Sequence, residues 1–133
     1  MKKNENLKYL KSMNVLYVED DLNTQEELEF FLSNKVAKLY VASDGRQGVE
    51  LFKKNDIDLI VTDIQMPNMN GIQMAEEIRG INPDIPIIII TAFNDSDYLF
   101  EAIKLNINGY LTKPLDLSLL IETLLKMSKN ISL

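Results

Sequence analysis

The chain has 133 residues, 46% of them hydrophobic and 26% charged, with a formal net charge of −6. That length fits one domain with a full core, and the acidic balance argues against a nucleic-acid surface built from clustered Lys and Arg. Cys and His are both absent, which excludes disulfides, thiolate or imidazole metal ligands, and Ser-His-Asp or Cys-His catalysis within the chain.

Residues 1–13 carry four lysines, with Leu7 and Leu10 on one helical face. A solvated N-terminal arm or linker is expected there. No apolar run like that of a signal peptide follows, and no run approaches a membrane span, so a cytoplasmic location is the default expectation. Val15–Val18 reads as the first strand and ends at Glu19-Asp20-Asp21. Asn23 or Thr24 is expected to cap the next helix, with Glu26 and Glu27 in its first turn and Leu28, Phe31 and Leu32 as its stripe. Lys38–Ala42 is the second strand. Asp44-Gly45 makes a turn, and Val49, Leu51 and Phe52 carry a second helix. Leu59–Thr62 is apolar on both faces, as a buried parallel strand is, and delivers Asp63 at its end.

Met66 to Gly71 is rich in turn residues and leads into a third helix, Gly71–Arg79, with Ile72, Ala75 and Ile78 inward and Gly80 as its stop. Pro83 and Pro86 bracket the next connection. Ile87–Ile90 is a fully buried strand ending at Thr91. Ser96 or Asp97 is expected to start a fourth helix that runs through Leu105. Asn108-Gly109 is a turn, and Tyr110-Leu111 forms a short fifth strand ending at Thr112-Lys113-Pro114. The last helix is expected from about Leu117 to Met127, with Leu117, Leu120, Ile121 and Leu124 buried. The domain then spans residues 14–128, and 129–133 form a tail.

Strand and helix alternate five times, which implies an α/β fold with one doubly wound parallel sheet and helices on both faces. Right-handed crossovers place all five strand C-termini on one edge, where open α/β sheets bind ligands. Glu19-Asp20-Asp21, Asp63, Thr91 and Lys113 therefore converge. With the first strand central, Glu19, Asp20 and Asp63 share one small pocket. Two carboxylates at about 4 Å repel by about 4 kcal/mol at an effective dielectric near 20. A divalent cation with Lys113 beside it relieves that repulsion. With no His or Cys available, the cation is a hard, oxygen-bound one such as Mg2+, Mn2+ or Ca2+. Singly, each residue reads as readily as a turn acid, a surface lysine or a turn hydroxyl. Jointly they form a phosphoryl-transfer layout: acceptor carboxylate, metal, lysine and hydroxyl donor.

The motifs Val15-Leu16-Tyr17-Val18-Glu19-Asp20-Asp21, Val61 to Gly71, Ile90-Thr91-Ala92 and Gly109-Tyr110-Leu111-Thr112-Lys113-Pro114 resemble those of the receiver domain of two-component response regulators. The resemblance spans about residues 14 to 128. It implies a flavodoxin-like sheet of order 2-1-3-4-5 with five helices. It further implies that Asp63 accepts a phosphoryl group from a histidine kinase or phosphotransfer protein, in a reaction dependent on Mg2+ or Mn2+. Glu19, Asp20, Asp63 and the backbone carbonyl of Gln65 are the implied metal ligands, and Asp21 is a spare acid. Thr91 and Lys113 are the implied partners of the phosphoryl oxygens, and small Ala92 leaves that group room. Tyr110 is the implied aromatic switch, and Gln65 and Phe93 stand where phosphoryl lifetime is tuned. A cis Lys113–Pro114 bond is expected, as is a helix-capping role for Asn70, where the family often has Asp.

The only chemistry so implied is self-catalysed phosphotransfer and autodephosphorylation. The readout surface is the fourth helix, fifth strand and fifth helix. Tyr98, Leu99, Phe100, Ala102, Ile103 and Leu105 exceed what one inward face needs, so an output-partner or homodimer surface and further core contact are both open. A non-switching pseudo-receiver is disfavoured by the intact acid set, Thr91 and Lys113. An aspartate-nucleophile phosphatase wants an acid where Gln65 stands. A flavin-binding protein would have its phosphate repelled by Glu19-Asp20-Asp21. A stand-alone regulator and a receiver cut from a longer protein both fit.

Overall fold

A computed structural model of the chain describes residues 2–132, with the side chains of residues 2–6, 93, 94 and 132 outside the description. Five parallel strands form one sheet: β1 (Asn14–Val18), β2 (Lys38–Ala42), β3 (Leu59–Asp63), β4 (Ile87–Thr91) and β5 (Gly109–Thr112). Their order is β2-β1-β3-β4-β5, as the resemblance implied. The α-helices are α1 (Lys2–Lys11), α2 (Leu22–Leu32), α3 (Gly45–Lys54), α4 (Gly71–Ile81), α5 (Leu99–Lys104) and α6 (Leu117–Ser132). A 3-10 helix, Phe93–Tyr98, joins β4 to α5.

Alternate residues of the central strands feed two cores. Leu16, Val18, Ile60, Ile87 and Ile89 pack with Val49 of α3 and with Ile72, Met74, Ala75 and Ile78 of α4. Val15, Tyr17, Leu59, Val61, Ile88 and Ile90 pack with Leu28 and Leu32 of α2 and with Leu120 and Leu124 of α6. The strands β1, β3 and β4 are covered on both sides, which is why they read as unbroken apolar runs.

Several local expectations are corrected. From Leu7 to Met13 the N-terminal segment is docked rather than a solvated arm. Lys2–Lys11 is a sixth helix that packs against α6, and Leu10 and Met13 are buried in the second core. The chain after Met127 is no bare tail either, since α6 continues to Ser132 and Ser128 is buried. Leu117 is exposed rather than part of the α6 stripe, because its helix begins there, at the rim.

Gly80 does not stop α4. The helix runs on to Ile81, and Asn82 leaves it with extended backbone (φ −141°, ψ 103°). Pro83 is the physical stop, since proline disfavours helical backbone in the residue before it. Finally, the helix expected from Ser96 or Asp97 begins instead as the 3-10 helix at Phe93, and α5 has only six residues.

Candidate functional site

Register builds the site. Val18 of β1 pairs with Thr62 of β3, so Glu19 and Asp63 emerge side by side at the strand ends. The Glu19 N–H donates to the Ala42 carbonyl at 3.0 Å, extending the β1–β2 ladder by one residue. The buried Gln25 amide donates to the Glu19 carbonyl at 2.8 Å and bridges to Ala42 and Ser43. This fixes the chain direction just where the acids begin. The Glu19 carboxylate, with 2% of the residue exposed, accepts the Asp21 N–H at 3.1 Å.

Asp21 turns away and stands outside the cluster of Glu19, Asp20 and Asp63, as expected of a spare acid, and it has a structural task of its own. Its carboxylate accepts the Thr24 N–H at 3.0 Å and is the N-cap of α2, in place of the expected Asn23 or Thr24. The helix consequently starts at Leu22, leaving Glu26 and Glu27 beyond its first turn. The Thr24 hydroxyl and N–H hold the Asp21 carboxyl below its usual pKa.

Asp63 is buried at the last position of β3. One carboxylate oxygen accepts the Ile64 N–H at 2.8 Å, and the other accepts Lys113 Nζ at 2.7 Å. Oxygens of Glu19, Asp20 and Asp63 all lie within 4.8 Å of one another. Lys113 is aimed from β5, and its N–H donates to the Thr91 carbonyl at 2.8 Å. The Lys113–Pro114 bond is cis, as expected. Thr91 is buried with only a long contact, 3.5 Å, from its hydroxyl to the Leu111 carbonyl. Ala92 is half-buried beside it, and Tyr110 is exposed on β5. The Phe93 side chain lies outside the described residues.

Electrostatics follow from this crowding. Burial, reinforced by the Asp63 charge, pushes the Glu19 carboxyl up to about 7, with the Asp21 N–H and Lys113 offsetting part of the effect. Burial opposes the Lys113 charge. The bond to Asp63, with Glu19 and Asp95 behind it, outweighs that and raises its pKa above the ordinary lysine value.

The loop that follows Asp63 is pinned. Asn68 adopts left-handed backbone (φ 65°) and donates to the Asp44 carboxylate at 2.8 Å. Asn70 caps α4 as expected, in a reciprocal capping box with Gln73. Gly71 donates its N–H to the Ile64 carbonyl at 2.7 Å, and a Cβ there would stand 2.1 Å from the Asp63 carbonyl oxygen. Glycine is required because the helix start presses on the backbone of Asp63.

Sequence reasoning missed Asp95. Its carboxylate accepts the Ala92 N–H at 2.6 Å and the Gln65 side-chain amide, joining the loops after β3 and β4. An acid three residues after a strand-end residue matches half of a capping box. With Ala92 rather than Ser or Thr at the cap, that signal was weak.

The family model for the response regulator receiver domain matches residues 15–125. Transcriptional regulatory protein ZraR of Escherichia coli is 35% identical over 86% of this chain, which spans 26% of that protein. Chemotaxis protein CheY of Thermotoga maritima is 39% identical over 66% of this chain and 73% of its own length. Among solved structures, a Saccharomyces cerevisiae complex holds the histidine phosphotransfer signalling protein Ypd1 and the receiver domain of its downstream response regulator Ssk1. It superposes with a TM-score of 0.83 at 28% identity, covering 93% of this chain and 94% of that one. No helix among the described residues is long and apolar enough to cross a membrane.

Proposed function

Because the chain belongs to the response regulator receiver domain family, we propose that Asp63 is its phosphoacceptor. The phosphoryl group comes from a phosphohistidine on a kinase or phosphotransfer protein. One observation carries this reading: Lys113 is ion-paired to Asp63 inside a cluster of three carboxylates. The kinship to a receiver seen bound to a phosphotransfer protein supports that class of donor.

The donor set fits Mg2+ or Mn2+, being wholly oxygen. Glu19, Asp20 and Asp63 would hold the cation, with the Gln65 backbone carbonyl as a further ligand. When bound, it neutralises charge on the phosphoryl oxygens. The chain's own groups do the rest. An Asp63 carboxylate oxygen attacks phosphorus in line. The new P–O bond forms as the P–N bond to the donor breaks; the donor ring, protonated beforehand on its other nitrogen, takes the bonding pair and leaves as neutral imidazole. Lys113 shifts its ammonium toward a phosphoryl oxygen, and the Thr91 hydroxyl donates to another. Ala92 leaves space for the group, while Gln65 and Phe93 flank its access and set its lifetime.

The added charge, about −1.5 to −2, then favours one of two pre-existing conformations, with Thr91 and Tyr110 as the coupled switch. Leu99, Phe100 and Ile103 are exposed, as is Tyr110 of that switch, which supports an output-partner or homodimer face on α5, β5 and α6. The cytoplasm, where kinase and phosphodonor meet, is the proposed location. The chemistry is limited to self-catalysed phosphotransfer and loss of the phosphoryl group.

Incubation with Mg2+ and acetyl phosphate, read by intact mass, tests the reading. One phosphoryl adduct is expected on the wild type and none on Asp63→Asn. An adduct on the variant would move the acceptor elsewhere.

A further inference from the structure

Asp95 is only 2% exposed, and no ion pair reaches it among the described residues. Two neutral donors satisfy its charge, the Ala92 N–H and the Gln65 amide. Buried carboxylates are costly unless paired, so this one needs a reason to be there. Its position gives one. Gln65 stands two residues past Asp63, and Ala92 follows Thr91. Asp95 thus ties together the two loops that flank the phosphoacceptor. Its charge is felt at Lys113, which among the described residues is the cation bonded to the acid cluster. The charges of Asp63, Glu19 and Asp95 all act on that ammonium.

We propose that Asp95 is a positioning residue that holds the resting arrangement of this site against the incoming phosphoryl anion. In the resting protein it draws Gln65 and the 3-10 turn inward. Phosphorylation of Asp63 brings further negative charge beside it and draws Lys113 away toward the new group. Repulsion then expels Asp95 from the Ala92 N–H, releases Gln65 and opens the turn Phe93–Tyr98 that leads into α5. The charge change at Asp63 is thereby passed to α5 by a route separate from Thr91 and Tyr110. This inference rests on Asp63 being the acceptor.

The test uses the whole chain with Mg2+ and beryllofluoride, a mimic of the phosphoryl group. Beryllofluoride affinity is measured by fluorine NMR, and hydrogen exchange is followed at residues 93–98. Asp95→Asn is expected to bind beryllofluoride on the order of three- to tenfold more tightly than the wild type. Asp95→Ser, which keeps a hydroxyl acceptor for the Ala92 N–H, should tighten binding equally. It thereby separates charge from capping and serves if the Asn variant folds poorly. In the wild type, exchange at 93–98 should rise on adding beryllofluoride. In both variants that rise should be absent, since no charge at position 95 remains to be repelled. Unchanged or weaker affinity in both variants, or exchange at 93–98 that ignores beryllofluoride in the wild type, overturns the inference while leaving Asp63 as acceptor. A wild type that binds no beryllofluoride, or an Asp63→Asn variant that still takes a phosphoryl group, overturns both.

Discussion

At the ends of β1 and β3 the chain is held tightly, whereas at the ends of β4 and β5 it is held loosely. In the first half, Gln25 pins the backbone at Glu19, Gly71 presses on Asp63, and the Asn68–Asp44 bond closes the covering loop. In the second half, a 3-10 turn leads into a helix of six residues. There Phe100 is 78% exposed, Ile103 is 66% exposed, and β5 buries only Leu111. The tight half carries the acids, where mutual repulsion must be opposed by fixed geometry. The loose half carries the proposed switch, where a small free-energy change must shift a conformation. Segments that move come from the weakly packed end of a fold. Lys113 spans the two halves, following directly on β5 and bonded to Asp63.

That contrast breaks first at its bridge. Lys113→Met should slow phosphorylation by acetyl phosphate by about 10²–10³ while the fold persists, since one preorganised charge partner is lost. Intact-mass time courses check this, and a change below about threefold would make the lysine an incidental neighbour. Paired substitutions then compare the halves directly. Gly71→Ala should cost about 1–3 kcal/mol, because its new methyl meets backbone that has no room to yield. Ile103→Ser in the loose half should cost under about 0.5 kcal/mol. Urea unfolding measures both, and equal costs would erase the distinction.

The smallest effect is a pH dependence. The folded protein keeps the Glu19 proton up to about 7, against an ordinary 4.5 in the unfolded chain. The folded state therefore binds the proton more tightly. Without metal, stability should fall as pH rises from about 4.5 to about 7 and level off above. Asp21 and Asp44, whose carboxyls are shifted downward, act below that window. Saturating Mg2+ should flatten the fall by taking the proton's place. Thermal melts across pH, with Glu19→Gln as the comparison, decide this. An equal slope in that variant would place its origin elsewhere.

The sequence by itself determined the alternation of strands and helices, because burial on both faces leaves unbroken apolar runs that need no partner to be recognised. β2 was legible at its observed bounds and β4 to within one residue, and Asn70 was legible as a cap because capping is a matter of three or four residues. It also brought Glu19, Asp63, Thr91 and Lys113 to one edge, since the handedness of crossovers is general. Only the tertiary structure decided the rest. Lys2–Lys11 has a weak apolar stripe, and its docking depends on α6, more than a hundred residues away. The N-cap of α2 was expected at Asn23 or Thr24, and the bond from the Thr24 N–H placed it at Asp21. Asp95 drew no notice because its partner Gln65 lies thirty residues earlier. Local propensity and periodicity are written along the chain, but the partner of a buried polar group is set by which loops the sheet brings together.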